Sequence, residues 1–138
     1  MQFIAYLNFG GNCRAAFDFY REAFKGDITM RMTYGDSPMR DQMPVDSYDL
    51  IMHSQLEADG AVLMGADGPQ QQTAAGPGTC ISIQLETPEE AERIYAALSA
   101  GGEVQMPLQE TFWAHRWGTF TDRFGKLWMI NCMKAVEP

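Results

Sequence analysis

The sequence predicts an α+β protein made of two βαβββ modules, residues 3–65 and 79–133, joined by a linker at 66–78 inside one domain spanning 1–138. Three observations carry this prediction. Apolar segments switch between strand and helix periodicity in the same order twice. Each half contains one helix with its own start and stop signals. Each half also closes on an Asp- and Gly-containing hairpin, after which Gly60-Ala-Val-Leu-Met64 and Gly125-Lys-Leu-Trp-Met129 align.

The first module opens with FIAYLNF (3–9), apolar and aromatic enough for a strand, and GGN turns the chain into a helix. Asn12 is the expected N-cap. Cys13, Ala16, Phe17, Tyr20 and Phe24 then recur at helical spacing, and Gly26 stands where a left-handed residue ends a helix. Strands follow at ITMRMTY, DLIMHSQLE and AVLMGA, the last two joined by Asp59-Gly60, a strong hairpin signal. A two-residue turn there pairs Ala58 with Ala61 and places His53, Gln55 and Met64 on one face. The loop GDSPMRDQMPVDS (35–47) reads equally as a binding lid or as a floppy insertion.

The second module repeats the order. TCISIQLE is a strand, and Thr87-Pro88-Glu89-Glu90 is a capping box with proline at the first helical position. Ala91, Ile94, Tyr95 and Leu98 form the apolar stripe of a helix that stops at Gly101-Gly102. Strands follow at EVQMPLQ, TFWAHRWGTFT and KLWMINCM. Between the last two, Asp122-Arg123-Phe124-Gly125 has the pattern of a type I turn with a glycine bulge. That turn makes Asp122 face Lys126, Thr119 face Met129 and Trp117 face Asn131. One face then carries His115, Trp117, Thr119, Leu127, Met129 and Asn131; the other carries Arg116, Gly118, Phe120, Trp128 and Ile130. An even-length loop would reverse one strand against the other.

Composition narrows the function. A formal charge of −8, with no basic run, disfavours nucleic acid and anionic membranes as partners. No stretch of about eighteen apolar residues and no basic leader is present, so a cytoplasmic protein is expected. Cys13, Cys80 and Cys132 lack the spacing of a zinc or redox motif. Cys13 begins a helix, where the dipole favours a thiolate, but it also begins the apolar stripe, where burial favours an inert thiol. No Gly-x-Gly-x-x-Gly joins a strand to a helix, so nucleotide or S-adenosylmethionine binding has no support.

The segments GNCRAAFDFYREAF and QETFWAHRWGTFTDRFGKLWMIN resemble the PhnB-like branch of the vicinal oxygen chelate superfamily, which includes glyoxalase I, bleomycin-resistance proteins and extradiol dioxygenases. The resemblance implies a curved, incompletely closed mixed sheet with helices on its convex side, a ligand cleft on its concave face and a homodimer. Metal enzymes of the superfamily place His, Gln or Glu ligands on the first and last strand of each module. Carried across, those slots fall near Ala5, at Met64, within Thr79 to Ile81 and at Met129, none a strong ligand for a hard divalent ion.

The expected function is therefore binding of a small apolar or aromatic molecule with no metal and no other cofactor. The expected lining is His53, Met64, Trp113, His115, Trp117, Thr119, Met129 and Asn131. Each has a plainer alternative: a histidine bonded to backbone, tryptophans packed on each other, an amide satisfying a strand end. Asn8 is a second candidate amide, and Arg116 reads as a ligand-carboxylate partner or as half of a surface ion pair. Two other classes of function stay open. One is a divalent-metal enzyme whose site has moved to His53, His115 and carboxylates such as Asp67 or Glu110; the other is a dimeric structural module without a ligand.

Overall fold

The computed structural model describes residues 1–68 and 78–135. The element order is β1 (Ala5–Phe9), α1 (Cys13–Phe24), β2 (Asp27–Thr33), β3 (Ile51–Ala58), β4 (Ala61–Asp67), then β5 (Ile81–Gln84), α2 (Pro88–Ser99), β6 (Glu103–Gln109), β7 (Ala114–Thr121) and β8 (Leu127–Met133). This is βαβββ twice. The chain divides into two compact units, Met1–Ala74 and Ala75–Pro138. Most of the linker expected at 66–78 lies outside the described residues, while β4 runs on through Asp67.

Each unit forms its own four-stranded mixed sheet, in the orders β1-β4-β3-β2 and β5-β8-β7-β6. In both, the first strand runs parallel to the last and the other pairs are antiparallel. One face of each sheet is covered by its helix. In the first unit Cys13, Ala16, Phe17, Tyr20 and Ala23 of α1 are buried, as are Phe9, Leu56 and Leu63 of the sheet. Phe9 and Phe17 meet edge to face with centroids 6.3 Å apart. In the second, Ala91, Ile94 and Leu98 of α2 are buried, with Phe120, Trp128, Ile130 and Cys132 of the sheet. An ion pair latches each helix to its sheet: Arg31 to Asp18 at 2.8 Å, and Arg116 to Glu92 at 2.9 Å. Arg116 is thus half of an intramolecular surface pair.

Two expectations about α1 need correction. Asn12 holds the N-cap position, and its carbonyl accepts the Ala16 N–H, but its side chain makes no capping bond. The carboxylate of Asp67, at the far end of β4, accepts from the N–H groups of Gly11 at 2.8 Å and Cys13 at 3.0 Å. At the other end, the left-handed residue is Lys25, with φ of 54°. Gly26 serves a different need: a Cβ there would lie 2.6 Å from the carbonyl oxygen of Glu57. In α2 the expected cap is present, Thr87 Oγ1 accepting from Glu90 N at 3.2 Å.

Both hairpins follow their sequence signals. Asp59 and Gly60 have φ of 49° and 80°, as a two-residue turn with two left-handed positions requires, and Ala58 pairs with Ala61. At the β7–β8 tip, Asp122 N donates to the Lys126 carbonyl at 2.8 Å and Gly125 has φ of 86°. Thr119 pairs with Met129 and Trp117 with Asn131, so the odd-loop register holds. The 35–47 loop is tied at its neck and along its length. Tyr34 N donates to Leu50 O and Gly35 N to Tyr48 O, both at 3.0 Å. Arg40 lies 4.7 Å from the centre of the Tyr48 ring.

Candidate functional site

Strand register defines what each sheet presents on the face its helix leaves uncovered, because in-register neighbours share a face. In the first unit Tyr6, Met64, Gln55 and Met30 form one row across the four strands. The adjoining row contains Asn8 beside Ala66 and His53 beside Met32. In the second unit the corresponding rows are Ser82, Met129, Thr119, Met106 and Gln84, Asn131, Trp117, Gln109. Met64 and Met129 therefore occupy equivalent positions, as do His53 and Trp117. The duplication survives in the geometry of the open faces, although only the methionines survive in the letters.

The first-strand slots shift by one residue. Ala5 pairs with Leu63, on the helix-covered side, so Tyr6 is the residue beside Met64. Ile81 likewise pairs with buried Trp128, and Ser82 stands beside Met129. A one-residue slip exchanges faces, and β1 and β5 are too short for the pattern alone to choose between them.

Of the predicted lining, His53 and Met64 share the open face of the first sheet, and Trp117, Thr119, Met129 and Asn131 share that of the second. All six are half-buried. Two do not follow the expected alternation. Trp113 lies ahead of β7 in a turn where Thr111 Oγ1 accepts from Ala114 N at 3.0 Å. His115 is the extra residue where the β7–β8 register shifts between Ala114 and Arg116, and it is exposed. The bulge ends the period-two pattern that put His115 in line with Trp117. Trp113 and Trp117 pack on each other, centroids 5.7 Å apart at 68°, instead of standing parallel as a clamp for a flat molecule. Asn131 Oδ1 is buried with no hydrogen-bond partner among the described residues.

Sequence reasoning missed Tyr6, Tyr34, Met30 and Met32. The Tyr6 hydroxyl lies 3.2 Å from His53 Nδ1, their rings 5.8 Å apart and tilted by 34°. Tyr34 donates its hydroxyl to the Asp67 carbonyl at 2.8 Å. Burial, then the neighbouring Cys13 and Tyr34, pushes the Tyr6 phenol above its ordinary range; burial, then Asp67 and Cys13, does the same to Tyr34.

Do the residues fit the divalent ion that the superfamily resemblance implies? In neither unit does the pair on the first and last strands, Tyr6 with Met64 or Ser82 with Met129, supply a His, Gln or Glu. Thioether sulfur is a poor donor to hard divalent cations, so these positions do not fit one. The shifted alternative is occupied as well. Asp67 is 3% exposed, and its second oxygen accepts from Ile51 N at 2.8 Å. Glu110 pairs with Lys134 at 3.1 Å, and that hydrogen bond holds its carboxyl below the usual range. Among the described residues no three His, Cys, Asp or Glu side chains gather to hold a metal.

Two βαβββ units of identical strand order, each with a helix on one face and an open face on the other, define a glyoxalase-like protein. The profile of the Glyoxalase/Bleomycin resistance protein/Dioxygenase superfamily matches residues 4–130, and the chain belongs to that superfamily. It is similar to protein YjdN of Escherichia coli (strain K12), 31% identical over 137 residues, covering 94% of this chain and 93% of that one. Among solved structures it is similar to PA1353 from Pseudomonas aeruginosa, at 43% identity and a TM-score of 0.85, covering 98% of this chain and 99% of that one. A PhnB protein from Bacillus cereus shares the fold, at 21% identity and a TM-score of 0.79, over 96% of this chain and 99% of that one. Among the described residues no helix is long and apolar enough to cross a membrane.

Proposed function

We propose that this superfamily member binds a small apolar or aromatic molecule against the open faces of its sheets, without a divalent metal. One observation carries the reading. Met64 and Met129 stand at equivalent positions on the last strand of each unit, where the superfamily's metal enzymes use oxygen or nitrogen donors. Flexible, polarisable thioethers suit apolar ligands of varied shape, and the neighbouring Trp117 adds aromatic surface. Thr119 beside Met129 and Asn131 beside Trp117 offer the few polar groups that orient a ligand in such a wall.

The protein acts in the cytosol in this reading, which its three free cysteines suit. It works as a homodimer. Phe3 at 96% exposed and Phe112 at 90% supply apolar surface for a second copy to cover.

Metal analysis and thermal unfolding test the proposal. Dialysed protein is expected to retain no stoichiometric divalent ion, and added Zn, Mn, Ni or Fe(II) to leave the melting temperature unchanged, because a ligand of the native state stabilises by mass action. A retained ion that is released by substituting His53 or His115 would overturn it.

A further inference from the structure

The open face of the first sheet differs from that of the second by one polar device. Tyr6 and His53 sit in adjoining rows, with the tyrosine hydroxyl 3.2 Å from Nδ1 of the imidazole. Their positional equivalents in the second unit are Ser82 and Trp117, and Ser82 Oγ accepts from the neighbouring Gln84 at 2.9 Å. No tyrosine-histidine pair exists there. Among the described residues, each side chain of the pair has only the other as a hydrogen-bond partner. Tyr6 is nevertheless 47% exposed; its register neighbour is Met64, and that of His53 is Met32.

The chemistry of such a pair is specific. A neutral imidazole has one donor nitrogen and one acceptor nitrogen. If the Tyr6 O–H donates to Nδ1, then Nε2 carries the ring proton and donates outward, while the tyrosine oxygen accepts. If Nδ1–H donates to the tyrosine oxygen, then the Tyr6 O–H donates outward and Nε2 accepts. Either tautomer offers a ligand one donor and one acceptor, which matches a hydroxyl group, itself both.

We infer that Tyr6 and His53 form a hydroxyl-recognition site at the edge of a methionine-lined wall, taking an aromatic molecule that carries a ring hydroxyl. The inference rests on the apolar-ligand reading above and adds the polar group that selects among such ligands.

A matched pair of probes separates the two. p-Cresol and p-xylene have nearly the same shape and differ by a hydroxyl in place of a methyl group. Titrated into the full chain and followed by backbone amide NMR, p-cresol is expected to bind about tenfold more tightly, the discrimination that one added hydrogen bond of roughly 1.4 kcal/mol supplies. Tyr6→Phe and His53→Gln should each bring the ratio close to one while p-xylene affinity holds. If His53→Gln does not fold, the imidazole nitrogen resonances of the unaltered protein should move with p-cresol and stay with p-xylene. Equal affinity for the two probes, or a preference that survives both substitutions, overturns the hydroxyl site and leaves apolar binding standing. Binding of neither probe overturns both.

Discussion

The two units share strand order, parallel first-to-last pairing and helix placement, yet they satisfy the start of their helices by unlike means. In the first, a single carboxylate reaches in from the end of β4: Asp67 accepts from Gly11, Cys13 and Ile51, joining the starts of α1 and β3. In the second, the helix supplies its own cap through Thr87, and the position equivalent to Asp67 is the buried thiol of Cys132. The second unit places its buried carboxylate at the hairpin tip, where Asp122 accepts from Phe124 N, Lys126 N and the indole N–H of Trp128. A backbone plan tolerates duplication and divergence so long as each buried N–H finds an acceptor, and which residue provides it is free to move.

That comparison makes graded predictions. Asp67→Ala leaves three backbone donors without their acceptor, two of them in buried surroundings, and should cost about 4 kcal/mol in urea unfolding. Thr87→Ala removes one exposed cap bond and should cost about 1 kcal/mol. Equal losses would mean that the long-range carboxylate is no more than an ordinary cap. Between these two in size, a Cβ on Gly102 would fall 2.1 Å from the carbonyl oxygen of Thr121, against 2.6 Å for Gly26 and Glu57. Gly102→Ala should therefore cost about 2–3 kcal/mol and Gly26→Ala somewhat less, since backbone must move in both cases.

The smallest effect concerns pH. Tyr6 and Tyr34, both in the first unit, have phenols raised above the ordinary value by burial first. The stability tied to their neutral forms is complete below the unfolded value near pH 10 and is lost as pH rises through the raised folded values. Ultraviolet titration should show late phenol ionisation, and Tyr6→Phe should remove one late step. Late steps that persist unchanged in that variant would assign the effect to other tyrosines.

Local signals made much of the fold legible. Helical spacing, the Thr87 cap, the Asp59-Gly60 turn and the Asp122-to-Gly125 tip each act within a few residues, and all appear as the residues dictate. The register of the last hairpin followed from its loop length, which put Trp117, Thr119, Met129 and Asn131 on one face. What stayed hidden depends on contacts distant in sequence. The capping role of Asp67 and the reason for Gly26 both arise across strand or helix boundaries that no local pattern encodes. The Tyr6–His53 pair was hidden because β1 and β3 never meet directly: β4 lies between them, so their alignment follows only from two registers combined. The register shift beside His115 was hidden because a bulge has no dependable signature of its own.

Parallel pairing of first with last strand also sets the order of events in synthesis. Ala5 pairs with Leu63 and Ile81 with Trp128, so in each unit the strand that leaves the ribosome earliest must wait for the one that leaves last. Until then Phe9 and its neighbours have no sheet partner, and the nascent first unit holds a helix and the two-stranded β2–β3 pair. The first strand of each unit therefore stays unpaired for as long as the chain between it and the last strand takes to be made.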